Sequence, residues 1–334
     1  MKEKDVYSKT SKVSIIVTDG TAILGLGNIG PDAGLPVMEG KSLLFRILGE
    51  VEVVPYCMKP RPIQEEIQEI YDVVANFMAV NLEDIKAPEC FDIEEALKSK
   101  HVLPVFHDDQ HGTAVVTLAA LINALKLVKT PIDKMKFVVN GAGASGITVG
   151  TLILAYGAKN MIICDTKGAI WDGRTEGMND AKRKVAKLTN HNKEKGTLED
   201  VIKGADCFIG LSVAGALKKE WVKTMNKDPI IFAMANPVPE IMPDEAKEAG
   251  AFIYGSGRSD FENQINNSLV FPGIFRGLKE HHIKEITMEI KIKSSEAIAK
   301  CLEEPLSREY IIPSTLSLNI GKVISDEMAK TIKE

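Results

Sequence analysis

Phe137-Val-Val-Asn140-Gly141-Ala-Gly143-Ala144-Ser145-Gly146 is the stretch on which the reading of the fold turns. A short apolar run ends in G-x-G-x-x-G, and Ile147 to Tyr156 continues as a small-residue helix before the next apolar run, Met161-Ile-Ile-Cys164. A glycine turn in that place lets a helix begin where a strand ends, so that free backbone N–H groups and the positive helix end face a pyrophosphate. The second strand closes on Asp165, nineteen residues after Gly146, where a carboxylate accepts hydrogen bonds from adenosine ribose hydroxyls. Gly141, Gly143, Ala144, Ser145, Gly146 and Asp165 are therefore candidate residues for holding NAD. Asp165 would repel a 2′-phosphate, whereas Lys167 would serve one, so NADP stays open.

Further apolar runs lie on either side of this stretch. Cys207 to Ile209, Ile230 to Ala233 and Phe252 to Tyr254 are short and nearly continuous, as parallel strands covered on both faces are. Upstream, Val13 to Val17, Val51 to Pro55 and Val102 to Phe106 alternate with helical periodicity, such as Ile63, Ile67, Ile70 and Val74 after Pro62. The expected fold is α/β, with a Rossmann-type doubly wound parallel sheet and a smaller α/β domain. The 334 residues have room for both, and the net charge of -5 points away from nucleic acid. Five scattered cysteines suggest neither a disulfide frame nor a zinc ribbon, and a reducing, cytoplasmic setting is expected. No membrane span is expected: Thr113 to Val128 is interrupted by Asn123 and Lys126 and reads as a buried helix.

A second G-x-G-x-x-G stands at Gly25-Leu-Gly27-Asn-Ile-Gly30. Pro31 and Pro36 follow it and disfavour continuation as one helix, and no uninterrupted strand-helix-strand is legible there. Tight backbone packing beneath a site is the better reading of these glycines.

Acids gather at two places, Asn81-Leu-Glu83-Asp84-Ile and His107-Asp108-Asp109-Gln-His111-Gly-Thr113. Oxygen donors in this number suit a hard divalent ion, Mg²⁺ or Mn²⁺, against the alternative of solvated surface acids. Neighbours on a regular strand point to opposite faces, so Glu83 and Asp84 can share an ion only where the chain turns. His107 and His111 have the spacing of a zinc pair, but Asp108 stands where a zinc peptidase carries glutamate. Lys41, in Pro36-Val-Met-Glu-Gly-Lys41, is either a snorkelling surface residue or, if desolvated near a metal, a base with a lowered pKa. Asn236 and Asn267, in Asn236-Pro-Val-Pro239 and Gln264-Ile-Asn266-Asn267, either satisfy turns or hold a substrate carboxylate at the mouth of an open sheet.

Taken together, TDGTAILGLGNIG (18–30), PVMEGK (36–41), NLEDI (81–85), PVFHDDQHGT (104–113), NGAGASG (140–146), ANPVPEIMP (235–243) and GRSDFENQINNSLVFPGIFRG (257–277) resemble the malic enzymes, especially the short bacterial type. The resemblance runs from about Asp5 to Pro313. It implies oxidation of L-malate with NAD or NADP, release of CO₂ and pyruvate, and Mg²⁺ or Mn²⁺. Position by position, it implies that Lys41 is the general base, that Glu83, Asp84 and Asp109 are the metal ligands, and that Asp108 is a neighbouring active-site acid. Asn236 and Asn267 would contact malate, and Asn236 also the cofactor. It further implies a homodimer and three segments: a substrate and metal domain at 1–108, the nucleotide domain at 109–266, and a mostly helical return to the first domain at 267–334.

Two departures accompany it. The family's Tyr-Thr-Pro-Gly segment, whose tyrosine is the implied proton donor, has no counterpart, so the chain is expected to lack the first part of its substrate domain. Relatives carry two glycines where Met78 and Ala79 stand, which raises the expectation of crowding beside the metal. The alternative function is accordingly a catalytically impaired paralogue or fragment that binds nucleotide or partners a full-length enzyme, and a malolactic activity is more remote.

Overall fold

A computed structural model of the chain describes residues 12–23, 25–100 and 103–332. Asp5 and Val102, on which two of the sequence expectations fall, lie outside the described residues. The chain divides into two compact units. One comprises the described residues up to Gly112, Asn267–Ile298 and the segment from Thr315 onward; the other comprises Thr113–Asn266 and Ala299–Ser314.

The first unit opens with β1 (Val13–Thr18), α1 (Gly30–Gly49), β2 (Glu52–Cys57), α2 (Ile63–Val74), β3 (Val80–Leu82), α3 (Glu89–Ser99) and β4 (Val105–His107). The strands form a parallel sheet in the order β2-β1-β3-β4. Helix α2 buries Ile67, Ile70 and Val74, the face that the sequence spacing predicts.

Helix α1 corrects two expectations. It is a single helix of 20 residues with Pro31 in its first turn and Pro36 inside it, and β1-α1-β2 is a strand-helix-strand unit. Pro31 costs nothing, because the first N–H groups of a helix have no partner. Pro36 removes one backbone bond near the N-terminus, a loss set against a face that buries Met38, Lys41, Phe45 and Leu48. The glycines at 25, 27 and 30 have φ of 75°, 72° and 78°, and they form the turn that brings the chain from β1 into α1.

Helix α4 (Asp108–Val128) has 21 residues, longer than the apolar stretch suggests because Asp108–Gly112 joins it, and it is long and apolar enough to cross a bilayer. Val115, Val116, Leu118 and Leu121 on it are fully buried, as in the core helix of a globular protein.

The second unit holds β5 (Lys136–Asn140), α5 (Ala144–Ala155), β6 (Asn160–Asp165), β7 (Gly168–Ala169), α6 (Asp180–Ala186), α7 (Leu198–Val201), β8 (Cys207–Gly210), α8 (Lys219–Val222), β9 (Ile230–Ala233), α9 (Pro243–Glu248) and β10 (Ile253–Ser256). Its sheet runs β10-β9-β8-β5-β6-β7, parallel except for β7. Val138, Ile162, Phe208 and Ile231 are wholly buried, which is why these strands read as continuous apolar runs. The chain leaves β5 for β6 on one side and later returns to place β8 on the other. The C-terminal ends of β5 and β8 therefore flank a topological switch point, where open α/β sheets bind ligands.

Helices α10 (Phe271–His281), α11 (Met288–Lys300) and α12 (Ile320–Thr331) complete the chain. Residues 299–314 correct the expected third segment by packing with the second unit. Asn123 of α4 donates to the carbonyls of Ala299 (2.8 Å) and Ile311 (2.9 Å), and Asn263 donates to Arg308 O (2.8 Å) and accepts from Ile311 N (2.9 Å).

Candidate active site

In the first unit, β3 delivers the acids. Glu83 N–H still continues the ladder by donating to Val17 O (3.0 Å), and Asp84 then turns the chain at φ 52°. That left-handed residue is the turn the two neighbours need in order to face one ion. The first turn of α4 supplies Asp109, whose Oδ2 accepts from Asp84 N–H (2.8 Å). Glu83, Asp84 and Asp109 each bring a carboxylate oxygen within 4.8 Å of the others. Glu83 is buried, whereas the Asp109 side chain is 30% exposed, leaving one side of the cluster open to water or ligand. The solvated reading of Glu83 and Asp84 does not hold, since both are buried. Met78 N–H bonds Val13 O, at the entry end of the strand pair, and Glu83 lies at the exit end.

Lys41 lies buried on the inner face of α1 rather than snorkelling. Its Nζ donates to Glu83 Oε1 (2.7 Å) and Asp108 Oδ2 (2.5 Å) and sits 4.1 Å from the centroid of the Phe271 ring. Burial alone would lower the lysine pKa. The charges of Asp108 and Glu83 more than offset it and hold the group above the usual lysine range, the reverse of the lowering expected for a desolvated base. Burial also pushes the Asp108 carboxyl well above the usual carboxylate range, against the pull of Lys41. Lys41 and Asp108 thus meet across a short contact in which each holds a proton more tightly than it would in water. Asp108 reaches Lys41 by folding over Gly112, where an added Cβ would collide with Asp108 Oδ1 and lie 3.1 Å from the Asn267 Cβ. Asn267, in the turn before α10, therefore rests against the same helix turn.

The donor set fits a divalent ion. Three carboxylates converge with one open side, and the buried Oδ1 atoms of Asp108 and Asn81 have no hydrogen-bond donor among the described residues. Asn81 spends its amide on Glu83 Oε2 (2.8 Å), fixing that carboxylate. The histidine pair does not fit zinc. His107 belongs to β4, and His111 is engaged at both ring nitrogens, by Glu94 (2.6 Å) and Lys291 (3.0 Å).

In the second unit, Gly141 follows β5 at φ 124° with its Cα against the Leu211 carbonyl, and Gly146 packs on Gly141 O. Gly143 caps α5, and a Cβ there would meet nothing, so the space in front of Ala144, Ser145 and the helix N-terminus is open to an anion. Asp165 closes β6, but it is no lone carboxylate. Arg174 grips both of its oxygens, Lys182 adds a 2.6 Å bond, and the Lys167 backbone N–H a third contact at 2.9 Å. Burial would raise the Asp165 pKa, yet the Arg174 and Lys182 bonds bring it down to about 2. The Lys167 ammonium itself pairs with Glu176 (2.9 Å). Asn236 lies just beyond β9, with Gly257 close against its amide.

Several of these groups escape sequence reading. Arg174 and Lys182 sit in the polar stretch after Lys167, where no period or motif marks them. Glu94, buried on α3, is indistinguishable in sequence from its solvent-facing neighbour Glu95.

Comparison with known proteins places this geometry. The signature described as "Malic enzyme, NAD binding domain" matches residues 110–332, and "Malic enzyme, N-terminal domain" matches residues 3–61. The second match corrects the expectation that the first part of the substrate domain is absent, since it begins at the third residue. The chain is 52% identical over 332 residues to the bifunctional malic/malolactic enzyme of Bacillus subtilis, covering 98% of this chain and 81% of that protein. It is 48% identical to the NAD-dependent malic enzyme of Geobacillus stearothermophilus, with 95% and 66% covered, and 44% identical to the NADP-dependent malic enzyme of Rhizobium meliloti, with 98% and 45% covered. The chain thus spans from most to under half of the length of these relatives. Among solved structures, the NAD-dependent malic enzyme of Thermotoga maritima superposes with a TM-score of 0.93 at 42% identity, over 98% of this chain and 86% of that one.

Proposed function

The chain belongs to the malic enzyme family, and from that premise we propose that it oxidises and decarboxylates L-malate to pyruvate and CO₂ while reducing NAD⁺ or NADP⁺. The observation that carries the reading is Lys41, buried between Glu83 and Asp108 beside a three-carboxylate cluster. Glu83, Asp84 and Asp109 would hold Mg²⁺ or Mn²⁺, which supplies Lewis-acid polarisation of the oxygen substituents at malate C2.

Lys41 and Asp108 supply the proton transfer at the C2 hydroxyl. With Asp108 protonated, the neutral Lys41 amine takes the C2 hydroxyl proton as hydride leaves C2; the ammonium so formed pairs with Glu83 while Asp108 keeps its own proton. The Phe271 ring packs 4.1 Å from Lys41 Nζ and helps to keep it buried. Asn267 is assigned to a malate carboxylate, and Asn236 to substrate and cofactor. The glycine turn would seat the pyrophosphate at the α5 N-terminus. Arg174 and Lys182 neutralise Asp165, which supports acceptance of a 2′-phosphate, so NADP⁺ is a cofactor alongside NAD⁺.

Purified protein given L-malate, Mn²⁺ and either cofactor is expected to form pyruvate and reduced nicotinamide in equal amounts. No turnover with either cofactor contradicts the reading. A second output is favoured by the Bacillus subtilis relative, which is named for malic and malolactic activity. If pyruvate is reduced before release, lactate and CO₂ form with no net change of the nicotinamide, and lactate assayed at constant absorbance of reduced cofactor tests this. A homodimer and a reducing, cytoplasmic setting complete the proposal; the five free thiols fit the reducing setting.

A further inference from the structure

On the metal-site reading above, α4 carries two active-site aspartates in its first turn, and two further polar residues follow them. The first turn of α4 carries Asp108, which grips Lys41, and Asp109, which belongs to the cluster of three acids. The next two residues both turn to one buried carboxylate on α3. Glu94 Oε2 accepts from Gln110 Nε2 (3.1 Å), and Glu94 Oε1 accepts from His111 Nε2 (2.6 Å) and from Lys98 Nζ (2.5 Å). On its far side, His111 Nδ1 accepts from Lys291 of α11 (3.0 Å). The carboxylate only accepts and the ammonium only donates, so His111 carries its proton on Nε2 and is fixed in one orientation.

Such a network is a poor way to add stability. Burying a carboxylate and a lysine is costly, and replacing buried ion pairs by apolar side chains is often neutral or stabilising. What it does provide is geometry. Helix α4 is held at its first turn from α3 and α11, one residue beyond Asp109. Gly112 closes the turn so that Asp108 can fold back toward Lys41. We infer that Glu94 is a positioning residue for the metal cluster: through Gln110 and His111 it sets the azimuth of the first turn of α4, and with it the aim of Asp109 at the ion and of Asp108 at Lys41. Substitutions one shell outside metal ligands typically cost ten- to a hundredfold in affinity or activity, about the scale expected here.

The test is Mn²⁺ affinity, read by electron paramagnetic resonance on the whole chain without substrate or cofactor, alongside melting temperature, kcat and KM. Glu94→Gln is expected to weaken Mn²⁺ binding by about tenfold and to lower kcat, with Glu94→Asp recovering part of the loss. Lys98→Met, which removes the half-exposed partner of the same carboxylate and leaves the Glu94 bonds to Gln110 and His111 in place, is expected to leave Mn²⁺ affinity within about twofold of wild type. A purely structural Glu94 would lower the melting temperature and leave Mn²⁺ affinity unchanged, which overturns the inference. Should Glu94→Gln not fold, Gln110→Leu keeps the buried charge paired and is judged by the same criterion. Because Mn²⁺ binding is read without malate, a chain that binds Mn²⁺ but fails to turn over malate sinks the proposed reaction and leaves this inference standing on its own measurement.

Discussion

Two clusters of charge in this chain are built to opposite sums. In the first unit, Glu83, Asp84, Asp108 and Asp109 gather near the Lys41 ammonium, so among these five groups the acids outnumber the base four to one. In the second unit, Asp165 faces Arg174 and Lys182, so one carboxylate against two cations leaves one positive charge. An excess of buried negative charge calls for a cation, and a divalent ion is what three converging oxygen donors accept. An excess of positive charge beside the position proposed for the ribose tolerates a phosphate. The same residue type, aspartate at the end of a strand or start of a helix, thus does opposite work according to the partners the fold brings to it.

The comparison can be broken most severely at Lys41. Lys41→Met is expected to lower kcat by about a thousandfold while cofactor affinity, read by the fluorescence of reduced nicotinamide, stays near wild type. A loss of under about tenfold would remove Lys41 as the base. Next in size is Gly112→Ala. The new methyl displaces Asp108 from Lys41, and a misplacement of this kind costs about a hundredfold in kcat. Little change in melting temperature is expected with it, which separates lost aim from lost fold.

The second cluster is sharpened by Arg174→Gln, which frees one edge of Asp165. NADP⁺ affinity should fall by about tenfold relative to NAD⁺, measured as the ratio of dissociation constants. An unchanged ratio would show that Asp165 and its partners do not reach the ribose. The smallest effect is a pH slope from Lys291. Burial, with Lys98 adding repulsion and Glu94 and Glu285 opposing it, lowers its pKa from 10.5 to about 8, and His111 faces it. Between about pH 8 and 10.5 the unfolded chain binds the extra proton, so stability rises with pH through this window. Compared with Lys291→Met in urea titrations, wild type should gain at most about 3 kcal/mol from pH 8 to 10.5, and a flat difference contradicts the burial of an ionisable lysine.

The strands and the glycine turn were legible because both signals are local. A continuous apolar run, a glycine with φ 124° and a helix opening at once lie within ten residues of one another. The acids were legible for a weaker reason, their density, and only the turn at Asp84 explains how two neighbours come to face one ion. Helix α1 was misread at Pro36, since a local rule against proline inside helices yields to a buried face that sequence reading weighs too lightly. The charge sums were not legible at all. Asp165 in isolation favoured NAD, and its neutralising partners lie nine and seventeen residues away in a polar stretch without periodicity. Glu94 was hidden for the same reason, because burial of one glutamate among several on a helix depends on packing rather than on spacing.

The contrast between the two clusters reduces to a single titration. Mn²⁺ binding followed by electron paramagnetic resonance, on wild type and on Asp109→Asn and Asp165→Asn, is expected to show one saturable site per chain that Asp109→Asn weakens by about a hundredfold and Asp165→Asn leaves unchanged. No saturable site in wild type, or equal effects of the two substitutions, would contradict the assignment of the first cluster as the metal centre.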